Sequence, residues 1–323
     1  VVSLYTLNKY FDKVLPIFID AIKNASFSED QFKLILAQKK QNFIINSEKV
    51  EFKARNTFFN TLFDDHPYGY STSIEDFENI FPEDLVNFHD AYYKNATMKV
   101  YVAGMIPKNC EALLNQYLGT WKLKKTHLVP EYSPEVKNDK IHIAKEGSLQ
   151  SAIRIGRVCF NSHHIDYHQL KFLSVLLGGY FGSRLMSNIR EDKGLTYGIR
   201  AICMYQEESG YFSISTEVKG EGTQLAIQEI YYELRRLREE LIPNEELSLV
   251  KNYIMGQILN SADGPFAQAI LLKNMHIQGV GFEFYQSYKK ILDNIEAEAL
   301  KDLANKYLKE EDLCEIVVGN ISF

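Results

Sequence analysis

Two residues able to hold a carbonyl oxygen stand seven apart in the middle of the chain, Arg190 and Tyr197. A guanidinium carries donors in a fixed plane and a phenol adds one more, so both can converge on one oxygen if the chain turns between them. Lys193 and Gly194 supply that turn, inside the run 178–200, Gly-Gly-Tyr-Phe-Gly-Ser-Arg-Leu-Met-Ser-Asn-Ile-Arg-Glu-Asp-Lys-Gly-Leu-Thr-Tyr-Gly-Ile-Arg. A second chemistry is offered by His164 and His168, which are four apart and share a helix face, as a metal-binding pair does. The expected role of that segment is plainer: a solvated helix start, with Asp166 favourably placed near the N-terminus. Other reactive arrangements are missing. None of the eight histidines stands in His-x-x-Glu-His or His-Glu-x-x-His. No Walker lysine follows the glycines at 178, 179 and 182. Ser183 has no base nearby and reads as a helix N-cap rather than a nucleophile.

The elements that must position the pair follow from periodicity. Leu7, Phe11, Val14, Leu15, Phe18, Ile19 and Ile22 recur at helical spacing, with Pro16 as a kink. Ser28 is an N-cap for a helix through Phe32, Leu36, Phe43 and Ile44, and a third helix over 54–63 stops at the breaker-rich Asp-Asp-His-Pro-Tyr-Gly of 64–69. Pro82 opens a helix to Tyr93, 99–103 reads as a strand, and Pro107 starts a helix through Leu118. The polar stretch 121–139, with Pro130 and Pro134, is the natural linker, which divides the chain into domains at 1–128 and 129–323. Beyond it come strands at 140–144 and 152–160 and a helix at 165–177, then paired strands at 201–205 and 211–218. Helices at 223–240 and 244–258, weaker ones to Tyr307, and a last strand at 316–319 complete the chain. Leu85, Phe88 and Tyr92 ahead of 100–104 echo Leu300, Leu303 and Tyr307 ahead of 316–319, which suggests two domains of one design. Strands interspersed with helix pairs place the class as α+β, a sheet with helices massed on one face.

Composition excludes several functions. The chain has 323 residues, 46% hydrophobic and 24% charged, in the globular range. Its net charge is −6 and the basic residues are scattered, so the electrostatic footprint of a nucleic-acid binder is missing. Cys110, Cys159, Cys203 and Cys314 lie far apart and read as isolated buried thiols. No apolar run is long enough to span a bilayer, and the first residues lack the pattern of a signal peptide. Because no methionine opens the chain, it is expected to be a piece of a longer polypeptide. Its compartment is unknown, with cytoplasm or periplasm expected if the source is bacterial.

The run 177–197 closely resembles the C-terminal domain of the insulinase/pitrilysin (inverzincin) zinc metallopeptidase family, which includes mitochondrial processing peptidase. Asn-Ser-His-His-Ile-Asp-Tyr at 161–167 is similar to the family segment ahead of that helix, and His-Pro-Tyr-Gly at 66–69 to a family loop in the preceding domain. The resemblance implies two homologous α+β domains, each a mainly antiparallel sheet with helices on one face, the first truncated at its N-terminus. In active members the first domain carries His-x-x-Glu-His, and a later helix gives a glutamate as third zinc ligand. Counted back without gaps from His66, that ligand position falls on Asn42, whose carboxamide is a poor substitute for a carboxylate. By the same resemblance, Arg190 and Tyr197 match the pair that binds substrate backbone beside the scissile bond. The chain is therefore expected to bind no metal, to be inactive alone, and to serve a zinc-bearing homologous partner in a heterodimer that hydrolyses peptides. Three alternatives accompany this expectation: a fragment of an active zinc endopeptidase whose metal motif lies upstream, a structural subunit like the family's core proteins in a respiratory complex, and a peptide-binding module that acts alone.

Overall fold

The computed structural model describes residues 1–94, 97–121 and 135–320. Its helices are α1 (Phe11–Lys23), α2 (Glu29–Ser47), α3 (Val50–Phe63), α4 (Ile74–Glu78), α5 (Pro82–Tyr92), α6 (Cys110–Leu118), α7 (Tyr167–Gly178), α8 (Thr223–Glu239), α9 (Asn244–Ser261), α10 (Gly264–Gln278), α11 (Phe282–Asn294) and α12 (Ala297–Tyr307). The strands are β1 (Lys140–Ala144), β2 (Gln150–Cys159), β3 (Ile199–Tyr205), β4 (Gly210–Lys219) and β5 (Cys314–Gly319). Two compact units emerge, one of Val1–Ile44, Thr72–Pro130 and Ala262–Lys273, the other of Ile45–Ser71, Glu131–Ser261 and Asn274–Phe323. The boundary expected between 128 and 129 lies outside the described residues.

The second unit is α+β. Its sheet has the order β1-β5-β2-β4-β3, with β1 parallel to β5 and every other pair antiparallel. The central strands β2 and β5 are apolar on both faces, and such strands need cover on both. On one face Ile153, Ile155, Phe212, Ile214 and Val317 pack against Leu170, Leu173, Leu177, Ile230 and Leu234 of α7 and α8, joined by Leu300 and Leu303 of α12. On the other, Ala152, Val158, Ile316 and Val318 meet α3. The helices α7, α8 and α12 mass on the first face, as the sequence suggested, and α3 covers the second. The reason is visible in α3 itself: Val50, Ala54, Phe58 and Leu62 recur every fourth residue, a single stripe that the sheet buries completely at Phe58 and Leu62. Burying one such large apolar side chain contributes about 2–3 kcal/mol.

In the first unit the described residues form helices and turns. Leu15 and Ile19 of α1 are buried, and the His89 Nε2 of α5 lies 2.7 Å from the Ile22 carbonyl, with Phe27 edge-on to its ring. Phe18, Ile22, Phe27, Leu85, Phe88 and His89 border an apolar cavity of about 370 Å³. The strand expected at 99–103 is not formed. Residues 97–103 belong to no ladder, and a strand exists only when a neighbour satisfies its peptide groups. Val100 is accordingly 51% exposed. The echo between the halves holds in pattern but not in burial, since Phe88 of α5 is exposed where its counterpart Leu303 of α12 is enclosed, and Leu85 is only half-buried where Leu300 is enclosed. Among the described residues no helix is long and apolar enough to cross a membrane.

Candidate functional site

The run carrying Arg190 and Tyr197 leaves α7 at Gly178, which touches β3 so closely that a Cβ there would lie 2.4 Å from the Ala201 nitrogen. Glycine is required by that approach. The chain then forms a helical stretch, Met186–Asp192, wound with the wider π spacing. Such widened turns put side chains out of ordinary helical register and are common at functional sites. Its end is fixed by Lys193 N–H donating to the Asn188 carbonyl at 3.1 Å and Leu195 N–H to that of Ile189 at 3.0 Å, while Gly194 takes φ +62°, a left-handed value suited to glycine.

Three polar contacts hold this stretch to the helices beneath it. Arg184, buried, makes a bidentate pair with Glu246 of α9, both bonds 2.8 Å. The buried Asn188 amide donates to Glu229 at 3.0 Å and to Glu233 at 2.8 Å, both on α8. Lys193 Nζ donates to Asn188 Oδ1 at 2.8 Å and pairs with Glu229 at 3.3 Å. Beyond the turn, the Thr216 hydroxyl donates to Thr196 Oγ1 at 2.9 Å and Thr196 in turn to the Glu217 carbonyl at 2.7 Å, which ties residues 196–198 to β4.

On this scaffold the Arg190 guanidinium lies over the Phe181 ring, 4.5 Å from its centroid. Tyr197 projects outward and is 95% exposed. No hydrogen bond joins the two, and among the described residues neither the guanidinium nor the phenol hydroxyl has a hydrogen-bond or ion-pair partner. Phe181 and Tyr197 line the same groove, of about 610 Å³, whose floor carries Arg154 of β2 and Glu217 of β4 and whose wall includes Glu51 of α3. Arg154 Nη2 donates to Glu51 Oε1 at 2.5 Å. Burial, and then the charge of Glu51, push the Glu217 carboxyl above its ordinary range, with Arg154 opposing. Sequence reasoning missed Glu51, Arg154 and Glu217. The one local sign was an arginine interrupting the apolar run of β2.

The remaining sequence candidates take structural places. Ser183 is buried just ahead of the first helical residue, and its hydroxyl caps nothing. His164 accepts from the Asp166 N–H at 3.1 Å and stacks on Phe160 at 3.8 Å, while His168 is buried between Tyr288 at 4.4 Å and Phe284 at 4.5 Å. The two rings thus have different neighbours and form no metal pair. Burial, followed by the charge of Lys171, lowers the His168 pKa to about 4. Asp166 does sit at the N-cap of α7, yet it is no solvated residue: its Oδ2 accepts from Lys306 Nζ at 2.7 Å and the Tyr307 hydroxyl at 2.6 Å. Burial would raise its pKa, and these two donors reverse the shift. The four cysteines are buried free thiols, with Cys159 and Cys314 pushed up to about 12 by burial.

Asn42 is exposed on α2 in the first unit. Among the described residues no group of three or more His, Cys, Asp or Glu side chains is placed to hold a metal ion. A zinc site does not fit the residues present, because an exposed carboxamide offers only a weak neutral donor.

The family described as "Peptidase M16 inactive domain" matches residues 79–254, just over half of the chain. The chain belongs to this family. Among curated M16-like relatives, the uncharacterized zinc protease YmxG of Bacillus subtilis is 24% identical over 264 residues, 80% of this chain and 63% of that protein. The non-peptidase homolog YmxG of Helicobacter pylori is 19% identical over 324 residues, 99% of this chain and 74% of the relative. The chain therefore spans less than two thirds of the first of these proteins and about three quarters of the second. The crystal structure of a peptidase M16 inactive domain from Pseudomonas fluorescens superposes with a TM-score of 0.81 at 20% identity, over 96% of this chain and 75% of that one. This likeness fixes the M16 fold.

Proposed function

We propose that this chain is the metal-free half of a two-chain M16 peptidase, in which Arg190 and Tyr197 bind the backbone carbonyl of an extended peptide presented to a zinc-bearing homologous partner. The observation that supports it is the pair of uncommitted donors beside one groove, carried by a segment that Arg184, Asn188 and Lys193 anchor. A donor satisfied within the protein would have to break a bond to serve a ligand. These two need not, which is the preorganisation that carbonyl activation demands. Metal chemistry on the peptide would come from the partner's zinc. This chain would bind, orient and polarise. The family's inactive-domain description agrees with that division of labour, as does the name of the Helicobacter relative, a non-peptidase homolog.

The test is reconstitution with a zinc-bearing M16 subunit from the same source. Arg190→Ala should lower kcat for peptide hydrolysis by about two orders of magnitude, the usual cost of one such donor, equivalent to roughly 3 kcal/mol. Turnover unchanged in Arg190→Ala would falsify the carbonyl-binding role. Metal analysis of the chain purified alone should give no stoichiometric zinc, and one zinc per chain would overturn the metal-free assignment.

A further inference from the structure

The two arginines of the segment are held in opposite ways. Arg184 commits two of its donors to Glu246, in bonds of 2.8 Å that fix the chain to α9. Arg190, six residues on, makes no such bond. Glu191 and Asp192 stand next to it in the chain, yet among the described residues neither forms an ion pair with it. What meets its guanidinium is the ring of Phe181, 4.5 Å from carbon to centroid. Phe181 contributes little to the core, since it is 61% exposed while Leu185 and Ile189 of the same segment are fully enclosed. Its ring stands instead at the groove, which it lines together with Tyr197.

A long guanidinium side chain left in water samples several rotamers, and each departure loses part of the alignment that carbonyl binding needs. A carboxylate would stop that motion but occupy the N–H groups. A phenyl face attracts the cation through its quadrupole and accepts no ordinary hydrogen bond, so it restrains the guanidinium and leaves all five N–H groups available. Tyr197 is restrained by other means, through the Thr196 hydroxyl that ties its backbone to β4.

We infer that Phe181 is a positioning residue whose ring holds the Arg190 guanidinium beside the groove with its donors free. This rests on the carbonyl-binding reading of Arg190 and adds the residue that prepares it. Because the contact is made within this chain, it can be observed without partner or peptide.

The first measurement is an NMR spectrum of the arginine-labelled chain alone, in which the Arg190 Nε–H and δ-methylene signals are identified by their loss in Arg190→Ala. The ring current of Phe181 should shift them upfield in wild type, and Phe181→Leu should return them to the ordinary arginine position. Signals already at that position in wild type, or unmoved by Phe181→Leu, would overturn the contact. The second is turnover after reconstitution with a zinc-bearing M16 subunit from the same source. Phe181→Leu, which keeps an apolar side chain without a π face, should lower kcat about fivefold and change KM by less than about twofold, as loss of one exposed cation–π contact predicts. Phe181→Trp, which keeps the face, should recover most of that loss. In an Arg190→Ala background Phe181→Leu should have no further effect, because the group it positions is gone. Phe181 is exposed, so both single variants should melt like wild type. Unaltered turnover in Phe181→Leu, or an equal loss in both backgrounds, would overturn the positioning role. If Arg190→Ala slowed turnover in that same experiment, the carbonyl-binding reading would still stand. If Arg190→Ala were silent, that reading would fall and the positioning role with it.

Discussion

Acid should weaken the second unit through His168, and the size of the effect follows from where the ring lies. It is 6% exposed, stacked between Tyr288 and Phe284, with Nδ1 lacking a hydrogen-bond partner and, among the described residues, no ion pair to a carboxylate. Charging it there means desolvating an imidazolium with Lys171 nearby, so the folded protein takes the proton only near pH 4, against 6.5 in the unfolded chain. The folded pKa is depressed. Stability from the neutral ring is fully present above pH 6.5 and is lost as pH falls from 6.5 towards 4, because in that window only the unfolded state gains the proton. A depression of about 2.5 units at 1.36 kcal/mol each is roughly 3 kcal/mol. The comparison is His168→Phe, which keeps a flat ring between the two aromatics and cannot titrate. Urea unfolding at pH 7.5, 6.5, 5.5 and 4.5 should show wild type losing about 2.5 kcal/mol relative to the variant, most of the full effect, while carboxylates, common to both, cancel. Parallel pH profiles would refute the reasoning, as would an NMR titration of the His168 ring with a midpoint above 6.

Other expectations concern the scaffold of the site. Gly178→Ala would place a methyl 2.4 Å from the Ala201 nitrogen and 2.9 Å from its Cβ, so it should cost about 2 kcal/mol or more in chemical denaturation. Glu246→Ala strands a buried guanidinium and should cost about 3 kcal/mol, whereas the double replacement Arg184→Met with Glu246→Met should cost clearly less; equal losses would mean that the pair is not coupled. Asn188→Asp sets a third carboxylate against Glu229 and Glu233, and the thermal midpoint should drop steeply at pH 7 and recover in part at pH 5. A midpoint independent of pH would contradict that contact.

How much of this was legible in the sequence depended on the separation of the residues involved. Arg190 and Tyr197 were readable because seven positions and one turn relate them. β5 was readable because three successive branched residues can only be a strand closed in on both sides. The stripe on α3 was readable as a face, yet periodicity names no target, and the pleat of β2 and β5 that receives it comes from residues about a hundred to over two hundred and fifty positions later. The segment 97–103 shows the converse error: a correct local preference does not make a strand without a partner to pair with.

The same distinction separates the proposed carbonyl grip from the charges around the groove. Gripping a backbone carbonyl is common to every peptide, and the residues for it form one local motif that a short stretch of sequence can carry intact. The charges that line the groove are instead assembled from Glu51, Arg154, Arg200 and Glu217, which four separate elements, α3, β2, β3 and β4, bring together. A substitution in α3, β2 or β4 can alter the choice among peptides while leaving the run 178–200 untouched. Relatives that share the Arg and Tyr should therefore differ in the peptides they prefer, and the place to look for the difference is the pairing of α3, β2 and β4 rather than the motif. Exchanging Glu217 alone tests this directly, since it alters one floor charge and no residue of the motif.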